Sequence, residues 1–167
     1  DGMSVVLASA EQIALLQVPD GAREAERVWS WKPVGCTVLR AADAGGHELF
    51  VIVETDSGQG ELILLSATTG EVLASAPFGH TFVRELAVIP RPDGQSWILA
   101  HDEPEDTVAA ANVRRNGATL EVGVRCRRRA LGRVRSLAAL PGTPADQPRL
   151  LVGSTEGYVV SLLAEAS

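Results

Sequence analysis

Three histidines, two cysteines and one dense run of carboxylates are the residues of this chain best suited to chemistry. The run is His101-Asp102-Glu103-Pro104-Glu105-Asp106, which sets four carboxylates beside an imidazole. Hard oxygen ligands of this kind suit calcium, but the alternating Asp-x-Asp-x-Asp-Gly spacing of a calcium loop is missing and Pro104 interrupts the run. The reading taken is an acidic hairpin loop whose like charges keep strand edges apart. His47 stands in a Gly-Gly-His turn, His80 follows Gly79, and no two histidines share His-x-x-x-His spacing. Cys36 and Cys126 lie 90 residues apart with no Cys-x-x-Cys, so neither a zinc site nor a disulfide framework is expected. Such sparse cysteine usage fits a cytoplasmic location. There is no Gly-x-Ser-x-Gly elbow, Walker loop or Gly-x-Gly-x-x-Gly turn. Gly58-Gln59-Gly60 precedes a strand, whereas a phosphate cradle must open a helix. The expectation is that the chain carries no catalytic residue, no metal ligand and no cofactor.

The arginines are the second candidate. Of 15 basic residues 14 are arginine, and only Lys32 is lysine. Residues 1–110 hold 17 acidic and 6 basic residues, a net −11, while residues 111–167 hold 4 and 9, a net +5. Arg125, Arg127, Arg128, Arg129, Arg133 and Arg135 make the basic cluster. A basic stretch can track nucleic acid, but the chain is acidic overall and no aromatic residue interleaves with these arginines to stack on a base. Arg127, Arg128 and Arg129 are therefore read as a solvated loop or a protein contact. Trp29 and Trp31 alternate and would face one side of a strand, as core or inter-sheet packing or as a protein contact.

These residues must be positioned by a repeat. Tight turns recur at Pro19-Asp20-Gly21, Thr68-Thr69-Gly70 and Arg115-Asn116-Gly117, their glycines 49 and 47 residues apart. Apolar strand starts recur at Val34, Val83 and Val134. Val83-Arg84-Glu85-Leu86-Ala87-Val88-Ile89-Pro90 is nearly repeated as Val134-Arg135-Ser136-Leu137-Ala138-Ala139-Leu140-Pro141. Glycine or proline breaks the chain every 8–12 residues, and β-branched residues recur between the breaks, so helix is nearly excluded. Glu11 to Val18 has a helical composition, but its place before Pro-Asp-Gly makes it a strand. A period near 48 residues with four short strands is that of a propeller blade. Strands are expected at 4–9, 11–18 and 26–31; at 34–41, 48–54, 60–66 and 71–76; at 82–89, 96–101, 107–113 and 118–126; and at 133–139, 148–153 and 157–163. The chain of 167 residues, 46% apolar, can bury a core. It contains no apolar run of 18 residues that would suggest a membrane helix, and Asp1 to Val6 lack the basic start of a secretory signal.

The third unit resembles a WD repeat. It runs Gly79-His80-Thr81, then the Val83 phrase, a Pro92-Asp93-Gly94 turn, Trp97-Ile98-Leu99-Ala100 and Asp106-Thr107-Val108. The resemblance implies that His80 and either Asp102 or Asp106 tie the blade together by hydrogen bonds. The Trp-Asp pair that should end the third strand is replaced by Arg114-Arg115. Ser66-Ala67-Thr68-Thr69-Gly70-Glu71-Val72 and Gly153-Ser154-Thr155-Glu156-Gly157-Tyr158-Val159 look like the quinoprotein type of propeller repeat. The fold expected is an all-β propeller, or part of one, of about four four-stranded blades spanning 1–31, 34–76, 82–126 and 133–167. The first and last units are short of a strand, so the expected ring is open and completed by self-association or by a second propeller-forming chain. The function expected is a non-catalytic protein-interaction scaffold that binds through loops on one face or through open blade edges. The alternatives are a recognition or regulatory segment of a larger multidomain enzyme, or a fragment of a propeller enzyme such as a quinone-binding dehydrogenase.

Overall fold

The computed structural model describes residues 2–79, 83–90, 94–102, 107–129, 133–140, 149–157 and 159–163. The chain is all-β. Fourteen strands and no helix occur among the described residues. Strands β1 (Gly2–Ala8), β2 (Ile13–Pro19) and β3 (Glu26–Trp31) form an antiparallel three-stranded sheet in that order. Next come two four-stranded meanders. One is β4 (Cys36–Gly45), β5 (Glu48–Thr55), β6 (Gly60–Ser66) and β7 (Val72–Pro77); the other is β8 (Val83–Pro90), β9 (Gln95–Asp102), β10 (Thr107–Asn116) and β11 (Thr119–Arg129). The last sheet holds β12 (Val134–Ala139), β13 (Arg149–Ser154) and β14 (Val159–Leu163).

The strand spans follow the sequence pattern, but the two middle meanders are not separate sheets. They join as one eight-stranded sheet of order β4-β5-β6-β7-β11-β10-β9-β8, through a parallel pairing of Thr119 with Ser75. Its end strands β4 and β8 pack against each other, where the Arg40 Nε–H donates to the carbonyl of Arg84. The sheet is therefore nearly closed on itself. Between the two meanders Arg115 Nη1 of β10 lies 3.2 Å from Glu48 Oε1 of β5, an exposed pair that contributes little to stability.

β5 shows how one strand serves two cores. Its side chains alternate, and Leu49, Val51 and Val53 face one way while Phe50 and Ile52 face the other; all five are buried. A strand covered on both faces needs this unbroken apolar run. Leu49, Val51 and Val53 join Ile63, Leu65 and Ile13 in a seam beneath the β1–β3 sheet. Phe50 and Ile52 join Leu62, Leu64, Ile98 and Val113 in the seam between the two meanders. A third seam packs Trp97, Leu99, Val108 and Ala110 against Val134 and Val152 of the last sheet. Each such side chain, fully buried, stabilises the fold by about 1.5–3 kcal/mol.

The repeat is visible in single hydrogen bonds. The amide of Asp56 donates to the Gly35 carbonyl, and that of Thr155 to the Arg133 carbonyl, each at 2.9 Å. Both bonds tie the start of a first strand to the turn after a second strand. Those turns end in Gly58 and Gly157, with φ of 74° and 80°, a conformation glycine adopts at low steric cost. The ladder pairs Cys36 with Thr55, Val83 with Asp102 and Val134 with Ser154. Cys36, not Val34, is thus the counterpart of Val83 and Val134. Val34 is 95% exposed and precedes the strand; its apolar character matched the pattern but its position did not.

Candidate binding sites

Trp29 and Trp31 lie on the face of β3 that packs over the β4–β7 meander, and both are half-buried against that seam. The indole N–H of Trp29 donates to the Ala67 carbonyl at 2.9 Å, so the ring lies on the β6–β7 turn. Gly70 in that turn has φ +74°, and a Cβ there would stand 2.7 Å from the ring. The two tryptophans thus pin the first sheet to the second.

Arg127, Arg128 and Arg129 occupy the end of β11, where the backbone register sets them opposite Ala109, Val108 and Thr107. Along its other edge β11 meets β7 only at Thr119, among the described residues. The arginines therefore lie within β11 and not in a loop, on a stretch that pairs with β10 alone among the described residues. Of the residues implied by the WD resemblance, Gly79 follows Phe78 with φ +67°. Asp102 ends β9, opposite Val83 and Thr107. His80 and Asp106 lie outside the described residues, as do Glu103 to Glu105 of the acidic run.

His47 sits in the β4–β5 turn with φ 64°, and His101 is buried in β9, so those two are not brought together. No group of three or more potential metal ligands forms among the described residues. Cys36 is half-buried; burial, Glu61 and Asp56 together raise its thiol above the ordinary cysteine range. It stays protonated at neutral pH, which makes it a poor nucleophile.

Two features escaped the sequence reading. The first is the outward face of the first sheet. The pairs Met3–Val18, Val5–Leu16 and Leu7–Ala14 put six apolar residues on the face opposite Ile13 and the tryptophans. Met3 and Leu7 are 63% and 52% exposed. A groove of about 570 Å³ runs here between Leu7, Ser9, Gln12, Leu16 and Arg27. Its signal in the sequence is Val5-Val6-Leu7, a run apolar on both faces in a sheet covered on only one. The second is a polar cavity of about 400 Å³ lined by Gln95, Asn112, Arg114, Glu121, Val122 and Gly123. Its signal is Asn112 and Arg114, which continue the apolar positions Val108 and Ala110 along one face of β10.

No protein-family model matches the chain, and no curated protein matches it. Among solved structures it is similar to an exo-β-1,3-galactanase from Clostridium thermocellum, with a TM-score of 0.51 and 9% sequence identity. The likeness is one of fold. It covers 93% of this chain and 40% of the galactanase chain, so this chain spans less than half the length of that enzyme. No helix among the described residues is long and apolar enough to cross a membrane.

Proposed function

We propose that the chain is an arc of β-propeller blades acting as a non-catalytic binding module, and that its binding surface is the outward face of β1 and β2. The observation that carries this reading comes from the repeat. The amides of Ser9, just after β1, and Thr55, which ends β5, close matching turns by donating to the Gln12 and Gln59 carbonyls, each at 2.9 Å; aligning them with Asp102 and Ser154, which end β9 and β13, makes Leu7, Val53, Ala100 and Val152 equivalent. Val53, Ala100 and Val152 are 0%, 1% and 5% exposed, each covered by the sheet before it. Leu7 is 52% exposed. The first sheet thus displays the surface that every later sheet buries under a predecessor. An exposed apolar surface of this kind drives association.

The occupant that fits is the last sheet of a second copy, docked head to tail. Residues 133–167 hold three basic and three acidic residues, so this contact rests on apolar burial, and the basic cluster of residues 111–132 belongs to the preceding meander. Sedimentation velocity on the full chain tests it. The wild type is expected to form dimers or larger species, and Leu7→Asp to sediment as a folded monomer, since an exposed position tolerates the charge. Equal sedimentation of the two proteins would refute the reading. A second reading is that this arc is a recognition or regulatory segment of a larger multidomain enzyme; the docking surface would then receive a neighbouring blade.

A further inference from the structure

Trp97 and Asn112 stand opposite each other across β9 and β10. Each holds a buried polar atom with no hydrogen-bond partner among the described residues: the indole Nε1–H of Trp97 and Oδ1 of Asn112. Buried polar groups are rarely left so, because losing water without gaining a partner is costly. The next position on that face is Gly123, which pairs with Asn112 and has no side chain to fill the space beside it. One step along the strands, Gln95, Arg114 and Glu121 form a parallel row on the same face. Gln95, Asn112, Arg114, Glu121 and Gly123 line the polar, solvent-open cavity of about 400 Å³, with Trp97 buried beside Asn112, a size in the range of small-molecule sites.

We infer that this cavity binds a neutral, hydroxyl-rich small molecule, a sugar or a polyol. Arg114 can only donate hydrogen bonds and the Glu121 carboxylate can only accept them. A ligand satisfying both must offer acceptors and donors side by side, and a hydroxyl is both at once. The charges of the two residues cancel, so neither a cation nor an anion is favoured. Asn112 Nδ2 donates to Gln95 Oε1 at 2.7 Å, which fixes the amide and leaves Oδ1 to accept from the ligand. Asn116 Nδ2 donates to Glu121 Oε1 at 2.9 Å and holds the carboxylate in place. The site requires no association between copies, so its failure and that of the module reading are separate results.

Heteronuclear NMR of the full chain, titrated separately with glucose, galactose, glycerol, glycine and inorganic phosphate, tests the assignment. Probe concentrations of roughly tens of millimolar saturate a site with a Kd near 1 mM. A saturable shift of the Trp97 indole N–H with a sugar or glycerol is expected. Asn112→Leu should weaken that response at least about tenfold while leaving the melting temperature nearly unchanged, because it also removes an unsatisfied acceptor. Arg114→Met, at an exposed position, should weaken it without touching the core. No saturable shift with any hydroxylated probe, or a shift with glycine or phosphate alone, would overturn the inference.

Discussion

Trp97→Ala is expected to destabilise the fold by about 3–5 kcal/mol, read from urea or thermal melts. Trp97 is 1% exposed and fills the seam between the eight-stranded sheet and the last sheet, against Leu99, Val108, Val134 and Val152. Removing the indole leaves a cavity between two rigid sheets, and a ladder-bonded sheet cannot collapse into it without breaking register. The loss thus falls at the upper end for a core truncation. Trp97→Phe should cost much less, since it keeps most of the ring volume and removes a buried donor that has no partner among the described residues. A loss under about 1 kcal/mol for Trp97→Ala would mean that the third seam does not form in solution.

Gly70→Ala is the second large effect, at about 2–4 kcal/mol. Two costs add at this position. The backbone is left-handed, with φ +74°, which any side chain resists. The added Cβ would also stand 2.7 Å from Cε3 of Trp29 and 2.9 Å from its Cδ2. The ring cannot simply swing away, because its N–H is bonded to the Ala67 carbonyl in the same turn. Gly21→Ala is the control: its φ is +77° and nothing lies within 4 Å of the added carbon, so only the backbone cost of about 1–2 kcal/mol applies. Equal losses for the two variants would show that Trp29 does not rest on the β6–β7 turn.

These two positions also show what the sequence made legible. Trp97 stands in an apolar run with strand spacing, so its burial could be read from its neighbours. Gly70 could be read as a turn, but the indole above it comes from a residue 41 positions earlier, and no local pattern announces that contact. β2 formed as a strand over Ile13–Pro19 despite residues that favour helix; the turn on each side and the Ile13–Trp31 pairing outweighed propensity. Val34 misled because an exposed valine and a strand-starting valine look alike in sequence. The parallel pairing of β7 with β11 rests on one residue pair far apart in the chain, which leaves no trace in either strand. The polar cavity is of the same kind: Gln95, Asn112 and Glu121 are unremarkable singly, and only the register of three strands puts them on one face.

The central claim is that the outward face of β1 and β2 is a docking surface for the last sheet of another copy. Sedimentation equilibrium of the wild-type chain over a dilution series tests it most directly. The predicted result is a mass that falls reversibly with dilution from a multiple of 17.6 kDa towards 17.6 kDa, along one mass-action curve. A mass of 17.6 kDa at every concentration would contradict it.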